Sequence, residues 1–200
     1  MVKHIVFDFG NVLVHFDPLW LYEDVFEGDR ERALWFNEHV ATGAWVRRLD
    51  AGEPMGQCVA ELQAQWPQYA REIALYDTRY YEMVGPEMEG MRPLLERLKG
   101  EGYGLWGLTN WPPKIYHVLE THPIFGLLDG MVISSEEHLT KPDARIYQCL
   151  LDRYGLTAED CVFTDDVAAN VVAAQAVGMR GILFRNALQL EHDLREMIGG

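Results

Sequence analysis

The feature that most constrains this chain is an alternation of short apolar runs with helical patterns. The apolar runs are rich in β-branched residues and predict strands; they lie at 5–7, 103–108, 131–133, 161–163 and 181–184. Amphipathic spacing predicts helices between them, at 90–98, 115–119, 144–154 and 168–177. Such alternation is typical of a parallel sheet covered by helices on both faces. We therefore predict an α/β fold with a doubly wound, Rossmann-like core.

The segment after the first predicted strand breaks this alternation. It has no pattern typical of a strand, and Asp17 followed by Pro18 is a helix start, with Asp as the cap and Pro at the first helical position. We expect an all-helical insert over residues 16–87. It would pack on a core formed by residues 1–15 and 88–200.

The charge balance excludes several classes of partner. The 200 residues include 17 Lys and Arg against 31 Asp and Glu, a net charge of −14. Phosphate backbones and anionic lipid surfaces would be repelled, so we expect no nucleic acid and no membrane partner. No apolar run is long enough to span a bilayer, and the first residues lack the pattern of a signal peptide. We expect a cytoplasmic monomer or homodimer that acts on a small molecule.

The three cysteines do not form a pattern. Cys58, Cys149 and Cys161 are odd in number and far apart in sequence, which fits neither a disulfide framework nor a zinc site. We predict buried free thiols in a reducing compartment.

Polar residues follow four of the predicted strands, at or just beyond their carboxyl ends. They are Asp8, Thr109, Asn110, Lys141, Asp165 and Asp166. Ligands of open parallel sheets bind outside the carboxyl ends of the strands, so we expect these side chains to converge. A carboxylate there is a competent nucleophile, while a hydroxyl, an amide and a lysine can hold phosphate oxygens. The additional carboxylates beside Asp8 favour a hard divalent cation, typically Mg²⁺, which would also screen an anionic substrate.

At these residues the sequence resembles the haloacid dehalogenase-like hydrolase superfamily. Residues 8–13 resemble its first motif, 108–110 its second, Lys141 and Pro142 its third, and Asp165 and Asp166, with Asn170, Gly178 and Met179, its fourth. The four motifs occur in the right order, each after an apolar run, and together they cover most of the chain. The helical insert resembles the helical cap of the superfamily's first subgroup.

This resemblance implies a phosphatase that acts on a small phosphorylated metabolite. Asp8 would attack the phosphoryl group and form an aspartyl-phosphate. Thr109 and Lys141 would stabilise the oxygens of that intermediate, and Asn110 would contact the phosphate or the substrate.

The resemblance also implies a Mg²⁺ cofactor. The side chains of Asp8 and Asp166 and the carbonyl of Gly10 would be its ligands. Asp165 would join them directly or through water.

The chain departs from the family pattern at one position. Most phosphatases of the superfamily carry a second Asp two residues after the nucleophile, as general acid and then base, and here that residue is Gly10. A glycine cannot protonate a leaving oxygen. The stretch 8–12 is similar to the branch that contains α-D-glucose-1-phosphate phosphatase. We therefore expect a sugar phosphate such as a hexose 1-phosphate, because an anomeric oxygen leaves more easily than an ordinary alkoxide.

Three other side chains are candidates near the site. His15 could replace the missing acid, although a polar residue at the hinge between core and insert is the simpler interpretation. Trp111 and Trp45 could line a sugar pocket, but an aromatic residue on a helical stripe more often belongs to the core. Since Trp111 directly follows Asn110, it is the better candidate for substrate binding.

Two alternative functions stay open at this point. A metal-independent 2-haloacid dehalogenase would use the same Asp8 on carbon and would not need the missing acid, but the pair at 165 and 166 favours a cation. A catalytically inactive phosphometabolite-binding module would also fit the loss at Gly10, although Asp8 and Lys141 are retained. A mutase is disfavoured because it needs the acid–base group for two transfers.

Overall fold

A parallel five-stranded sheet forms the centre of the molecule. The computed structural model describes residues 1–198. Its central strands are β1 (His4–Phe7), β4 (Gly104–Thr109), β5 (Gly130–Ile133), β6 (Cys161–Asp165) and β7 (Arg180–Leu183). They lie in the order β5-β4-β1-β6-β7, and every pairing is parallel. The chain adds strands on one side of β1 and then on the other, which opens a crevice for ligands beyond the carboxyl end of β1.

Helices cover both faces of this sheet, as predicted. Side chains alternate along β1, with Ile5 and Phe7 in one buried cluster and Val6 in a second. Helices α6 (Met91–Gly100), α7 (Ile115–Thr121) and α11 (Ala187–Ile198) contribute to the first cluster, and α9 (Ala144–Tyr154) and α10 (Ala168–Ala176) to the second. A single helical turn, α8 (Ser134–Glu137), directly follows β5. The α/β fold is confirmed; helix α11 was not predicted.

Five helices occupy the segment between the first strand and the rest of the core. They are α1 (Pro18–Val25), α2 (Arg30–His39), α3 (Gly43–Asp50), α4 (Met55–Gln65) and α5 (Ala70–Thr78). Asp17 caps α1 as predicted, since its Oδ1 accepts a hydrogen bond from the Leu19 amide at 2.9 Å. Buried side chains of these helices belong to the same cluster as the first face of the sheet, so the insert packs directly on the core.

The expectation that the insert contains no strand is wrong at its two ends. β2 (Val14–Phe16) and β3 (Val84–Glu87) form a two-stranded antiparallel ribbon in which Val14 pairs with Glu87. Both strands are very short, and β3 contains Gly85 and Pro86, residue types that are depleted in strands. The local sequence therefore carries no strand signal there, and pairing of the two chain crossings provides the stabilisation.

The cysteines differ from the prediction at one residue. All three cysteines are free, and Cys58 and Cys161 are buried, but Cys149 is half-buried, so the prediction of burial is wrong for that residue. Within residues 1–198, no helix combines the length and the apolar character needed to cross a membrane.

Candidate active site

Lys141 lies at the centre of the polar cluster at the strand ends. Its side chain is 1 % exposed, and Nζ lies 2.8 Å from Asp8 Oδ1 and 2.7 Å from Asp165 Oδ2. Nζ also donates to the Leu108 carbonyl at 2.9 Å, so all three donors of the ammonium group are used. Burial acts to lower the pKa of Lys141, but the two carboxylates outweigh it and raise that pKa. The cluster is therefore organised around the charged ammonium group of Lys141.

Asp8 directly follows β1 and presents two different oxygens. Oδ1 accepts hydrogen bonds from the Phe9 amide at 2.7 Å and from Lys141. No described residue bonds to Oδ2. Burial raises the pKa of Asp8 and Asp165 adds to the rise, whereas Lys141 opposes it. One oxygen is thus held in place while the other is free to react.

Two further carboxylates lie beside Asp8 at the end of β6. Asp165 is fully buried, and it accepts hydrogen bonds from the Val167 amide at 2.8 Å and from the Asn170 side chain at 3.0 Å, besides its ion pair with Lys141. Asp166 is exposed as a residue, but its carboxyl group is partly desolvated by neighbouring atoms; this desolvation, and then the charge of Asp165, raise its pKa. Asp165 is therefore saturated with protein donors, whereas Asp166 is open to a ligand.

This donor set fits a hard divalent cation. Oxygens of Asp8, Asp165 and Asp166 lie within 4.8 Å of one another. Three carboxylates face one lysine, so the cluster keeps excess negative charge that a cation would neutralise. Carboxylate oxygens are the ligands that Mg²⁺ prefers.

Thr109 is the last residue of β4, and Asn110 directly follows it. Thr109 Oγ1 is fully buried and has no hydrogen-bond partner among the described residues. A buried hydroxyl without a partner costs free energy, and an oxygen of a bound ligand would satisfy it. Asn110 forms a reciprocal pair with the backbone of Lys141, at 2.8 and 3.0 Å. Its amide therefore holds Lys141 in position, a task that the sequence did not reveal.

A cavity of about 90 Å³ opens at Asp8. It lies between the strand ends and the insert, and both sides contribute to its lining. The strand ends contribute Asp8, Gly10, Asn110, Trp111 and Pro112. Phe16 of the ribbon and four side chains of the insert (Val46, Asp50, Tyr76 and Tyr80) form the opposite wall. That wall is mostly apolar and aromatic, with Asp50 as its only carboxylate among the described residues.

The sequence missed this wall. Asp50 is the last residue of α3, where a negative charge opposes the helix dipole, and this unfavourable placement was the one available signal. Of the other candidates, Trp111 does line the cavity. Trp45 belongs to the core, where its indole N–H donates to the Cys58 carbonyl at 3.1 Å. His15 packs near Trp20, outside the cavity lining.

Comparisons with known proteins agree with this geometry. A family model described as "haloacid dehalogenase-like hydrolase" matches residues 2–178. A sesquiterpene phosphatase of Aspergillus oryzae is 30% identical over 98% of this chain and 97% of its own length. A phosphatase of Mycobacterium tuberculosis is 27% identical, over 91% of this chain and 87% of its own length.

The fold is shared with solved structures at low identity. A magnesium complex of a HAD family enzyme from Bacteroides thetaiotaomicron aligns with a TM-score of 0.76 and 15% identity, over 97% of this chain and 98% of that one. A predicted HAD-like hydrolase from Porphyromonas gingivalis aligns with a TM-score of 0.73 and 19% identity, over 99% and 98%. The chain belongs to the haloacid dehalogenase-like hydrolases, and its enzyme class, a hydrolase of phosphate esters, is that of the phosphatases it resembles along its whole length.

Proposed function

We propose that this hydrolase is a Mg²⁺-dependent phosphatase that works through an aspartyl-phosphate on Asp8. The observation that carries the proposal is the asymmetry of that carboxylate. Lys141 and a backbone amide hold Oδ1, while Oδ2 has no hydrogen-bond partner within residues 1–198, and Asp8 lines the cavity. A nucleophile needs such a free, oriented oxygen.

Asp8, Asp166 and the Gly10 carbonyl would hold the Mg²⁺, with Asp165 behind them. When bound, the ion supplies positive charge that lowers the repulsion between the phosphate and the carboxylates. Asp165 is occupied by three protein donors, so we assign it to orienting Lys141 and the metal ligands rather than to contacting the substrate. Asp166 is the exposed member and the one best placed to reach the ion.

The protein's own residues would carry the first step. Asp8 Oδ2 forms a bond to phosphorus as the bond from phosphorus to the leaving oxygen breaks. The Thr109 hydroxyl, unpartnered in the structure, donates to a phosphoryl oxygen, and the Lys141 ammonium balances the charge that develops. Asn110 keeps the lysine backbone in register during this step.

The cavity wall supports a ring-bearing or apolar leaving group. Phe16, Tyr76, Tyr80 and Trp111 present aromatic surfaces, which pack well on the face of a sugar ring. We propose a sugar phosphate, and a hexose 1-phosphate in particular, because Gly10 offers no acid for a poorer leaving group. We also propose that residues 16–87 act as a cap that selects the substrate over a core of residues 1–15 and 88–200.

The same wall favours a second candidate substrate. Its lining has few polar groups, and the relative from Aspergillus oryzae is named as a sesquiterpene phosphatase. An isoprenoid monophosphate would place its hydrocarbon chain against these rings. A haloacid dehalogenase is not better supported, since three clustered carboxylates are best explained by a cation.

The test is phosphate release from hexose 1-phosphates, hexose 6-phosphates and a prenyl monophosphate, with Mg²⁺ or with excess EDTA. We expect release only with Mg²⁺ and none from the Asp8→Asn variant, because an amide cannot act as the nucleophile. Preference for hexose 1-phosphates over 6-phosphates would support the sugar proposal, and preference for the prenyl compound would support the second. Release that persists in Asp8→Asn would overturn the mechanism.

A further inference from the structure

The proposed hydrolysis needs a proton donor that position 10 does not supply. A group must protonate the leaving oxygen and later take a proton from water. Gly10 has no side chain, and His15 does not line the cavity. Among the described residues that line it, only Asp8 and Asp50 carry carboxyl groups, and Asp8 is the nucleophile. Asp50 is thus the remaining acid in reach of the cavity.

The two tyrosines of the wall are poor substitutes. Burial raises the pKa of Tyr76 and that of Tyr80 well above the ordinary value for a phenol. A phenol that releases its proton so reluctantly is a weak general acid near neutral pH. Their rings shape the wall instead.

Helix α3 directs Asp50 into the cavity. Val46 and Asp50 are four residues apart and share one face of the helix, and both line the cavity. The Asp50 carboxylate forms no hydrogen bond and no ion pair with any residue in 1–198. Carboxylates in protein interiors are ordinarily paired. A half-buried, unpaired carboxylate opposite the nucleophile is what an acid–base group requires before substrate enters.

The end of α3 is held firmly against the core. Ser134 Oγ donates to the Asp50 carbonyl at 2.5 Å and accepts a hydrogen bond from the Trp111 amide at 2.9 Å. Gly52, at φ +85°, lets the backbone pass so close that a Cβ there would lie 2.4 Å from the Ser135 carbonyl. One serine therefore links Asp50 to the residue that follows Thr109 and Asn110, which fixes its distance from the site.

The charges around Asp50 leave it poised between its two forms. Burial raises its pKa to about 7, while Lys141 and Arg47 act in the opposite direction. Asp8 borders the same cavity, and Tyr76 and Tyr80 face it from the insert. A pKa near the working pH lets one group both donate and accept a proton.

We propose that Asp50 is the general acid and base of this enzyme, supplied by the insert in place of the carboxylate absent at position 10. The inference rests on the phosphatase function proposed above. It assigns a catalytic residue to the insert, whose sequence motifs gave no catalytic candidate.

The chemistry balances with this one group. As Asp8 Oδ2 bonds to phosphorus, the bond to the leaving oxygen breaks, and that oxygen takes the proton of the Asp50 carboxyl group. The alcohol leaves, and Asp50 is now a carboxylate. It takes a proton from water as the water oxygen bonds to phosphorus and the bond between phosphorus and Asp8 breaks. Inorganic phosphate, free Asp8 and protonated Asp50 result.

The experiment compares three probe substrates that differ in their need for a proton. They are 4-nitrophenyl, phenyl and benzyl phosphate, in order of poorer leaving groups, assayed with Mg²⁺. In Asp50→Asn we expect kcat/KM for benzyl phosphate to fall by about 10²–10⁴, and for 4-nitrophenyl phosphate by less than about tenfold. Nitrophenolate leaves without a proton, so its release does not depend on Asp50 in this step; the benzyl reaction depends on it most, and the phenyl reaction should lie between the two.

The role of Asp50 as the base for water attack predicts a burst of product release in the first turnover of Asp50→Asn. With 4-nitrophenyl phosphate, Asp50→Asn should release about one nitrophenolate per active site rapidly and then turn over slowly, because water attack lacks its base. Asp50→Glu, which keeps the carboxyl group, should recover part of the benzyl activity. The matched control is Asp24→Asn, an exposed insert carboxylate paired with Arg79 and outside the cavity, which we expect to behave as wild type.

Two outcomes overturn the inference and differ from failure of the function itself. An equal loss on all three substrates, with unchanged thermal unfolding, would mean that Asp50 only binds or positions. A fully active Asp50→Asn would exclude any role. If wild type itself releases no phosphate from any probe with Mg²⁺, the proposed function fails first, and the inference with it.

Discussion

The two sides of the cavity handle charge in opposite ways. At the strand ends, Lys141 uses all three donors and Asp165 accepts from three groups, so both side chains are fully hydrogen-bonded before any ligand arrives. On the insert side, rings surround a single carboxylate, Asp50, that no described residue pairs. Under the proposed function, the strand-end side would bind one kind of group, a phosphate together with Mg²⁺. On the insert side, we propose that the leaving group of the substrate supplies the partner that Asp50 lacks.

Removing the ammonium group of Lys141 should produce the largest effect, because the carboxylates at the strand ends would then have no cationic partner. In Lys141→Met, the carboxylates of Asp8 and Asp165 lose their shared partner, so we expect kcat to fall by about 10³ or more and stability by about 3–5 kcal/mol. Urea denaturation in EDTA measures the second effect, and added Mg²⁺ should restore part of it.

The control for that prediction is Lys99→Met. Lys99 is also ion-paired, with Asp129, but it is 41% exposed and does not line the cavity. It should change stability by well under 1 kcal/mol. A Lys141→Met protein as stable as this control would show that Lys141 does not stabilise the buried carboxylates at the strand ends.

Moving the acid from position 50 on the insert side to position 10 on the strand-end side should have an effect of intermediate size on activity. A Cβ at Gly10 would lie 3.6 Å from Trp111 and 3.7 Å from Phe16, ordinary contact distances. In an Asp50→Asn background, Gly10→Asp should therefore raise the turnover of benzyl phosphate by roughly tenfold. Gly10→Asn, of the same size but without an acid, is the control and should give no gain. Equal rates in the two double variants would show that position 10 cannot reach the leaving oxygen.

The smallest effect concerns stability and pH. Because burial raises the pKa of Asp50 from 3.8 to about 7, the folded protein favours the neutral form. Its contribution to stability is complete below the ordinary pKa and is lost as pH rises through about 7. The Asn side chain of Asp50→Asn stays neutral at every pH. The free energy of unfolding of this variant should therefore rise relative to that of wild type by about 1–2 kcal/mol from pH 5 to pH 8, after allowance for solvent screening and for Lys141 and Arg47.

Thermal unfolding of both proteins at several pH values measures this difference. Asp24→Asn again serves as the exposed control. A stability difference for Asp50→Asn that stays constant across the range would place its charge in water, and the insert side would then resemble an ordinary surface.

The sequence predicted one side of the cavity far better than the other, for a physical reason. Asp8 directly follows β1, and Thr109 and Asp165 are the last residues of β4 and β6. Parallel strands bring their carboxyl ends to one edge of the sheet whatever the loops do. Asp50 lies on a helix whose pattern says which face is apolar but not which neighbour that face meets. Its position is set by contacts with Ser134 and Ser135, which lie more than eighty residues further along the chain. Short strand β3 was missed since pairing, not propensity, forms it.

The ribbon of β2 and β3 gives the enzyme a form of modularity. The chain departs from the core through Val14–Phe16 and returns through Val84–Glu87, so the two crossings lie side by side as antiparallel partners. Whatever is threaded between them begins and ends at neighbouring points. The intervening helices can therefore be lengthened, shortened or exchanged as a cassette while the register of the five-stranded sheet stays the same. Asp50 and the other insert residues that line the cavity lie on this segment, so one exchange would replace the proposed acid together with the proposed substrate-selecting wall.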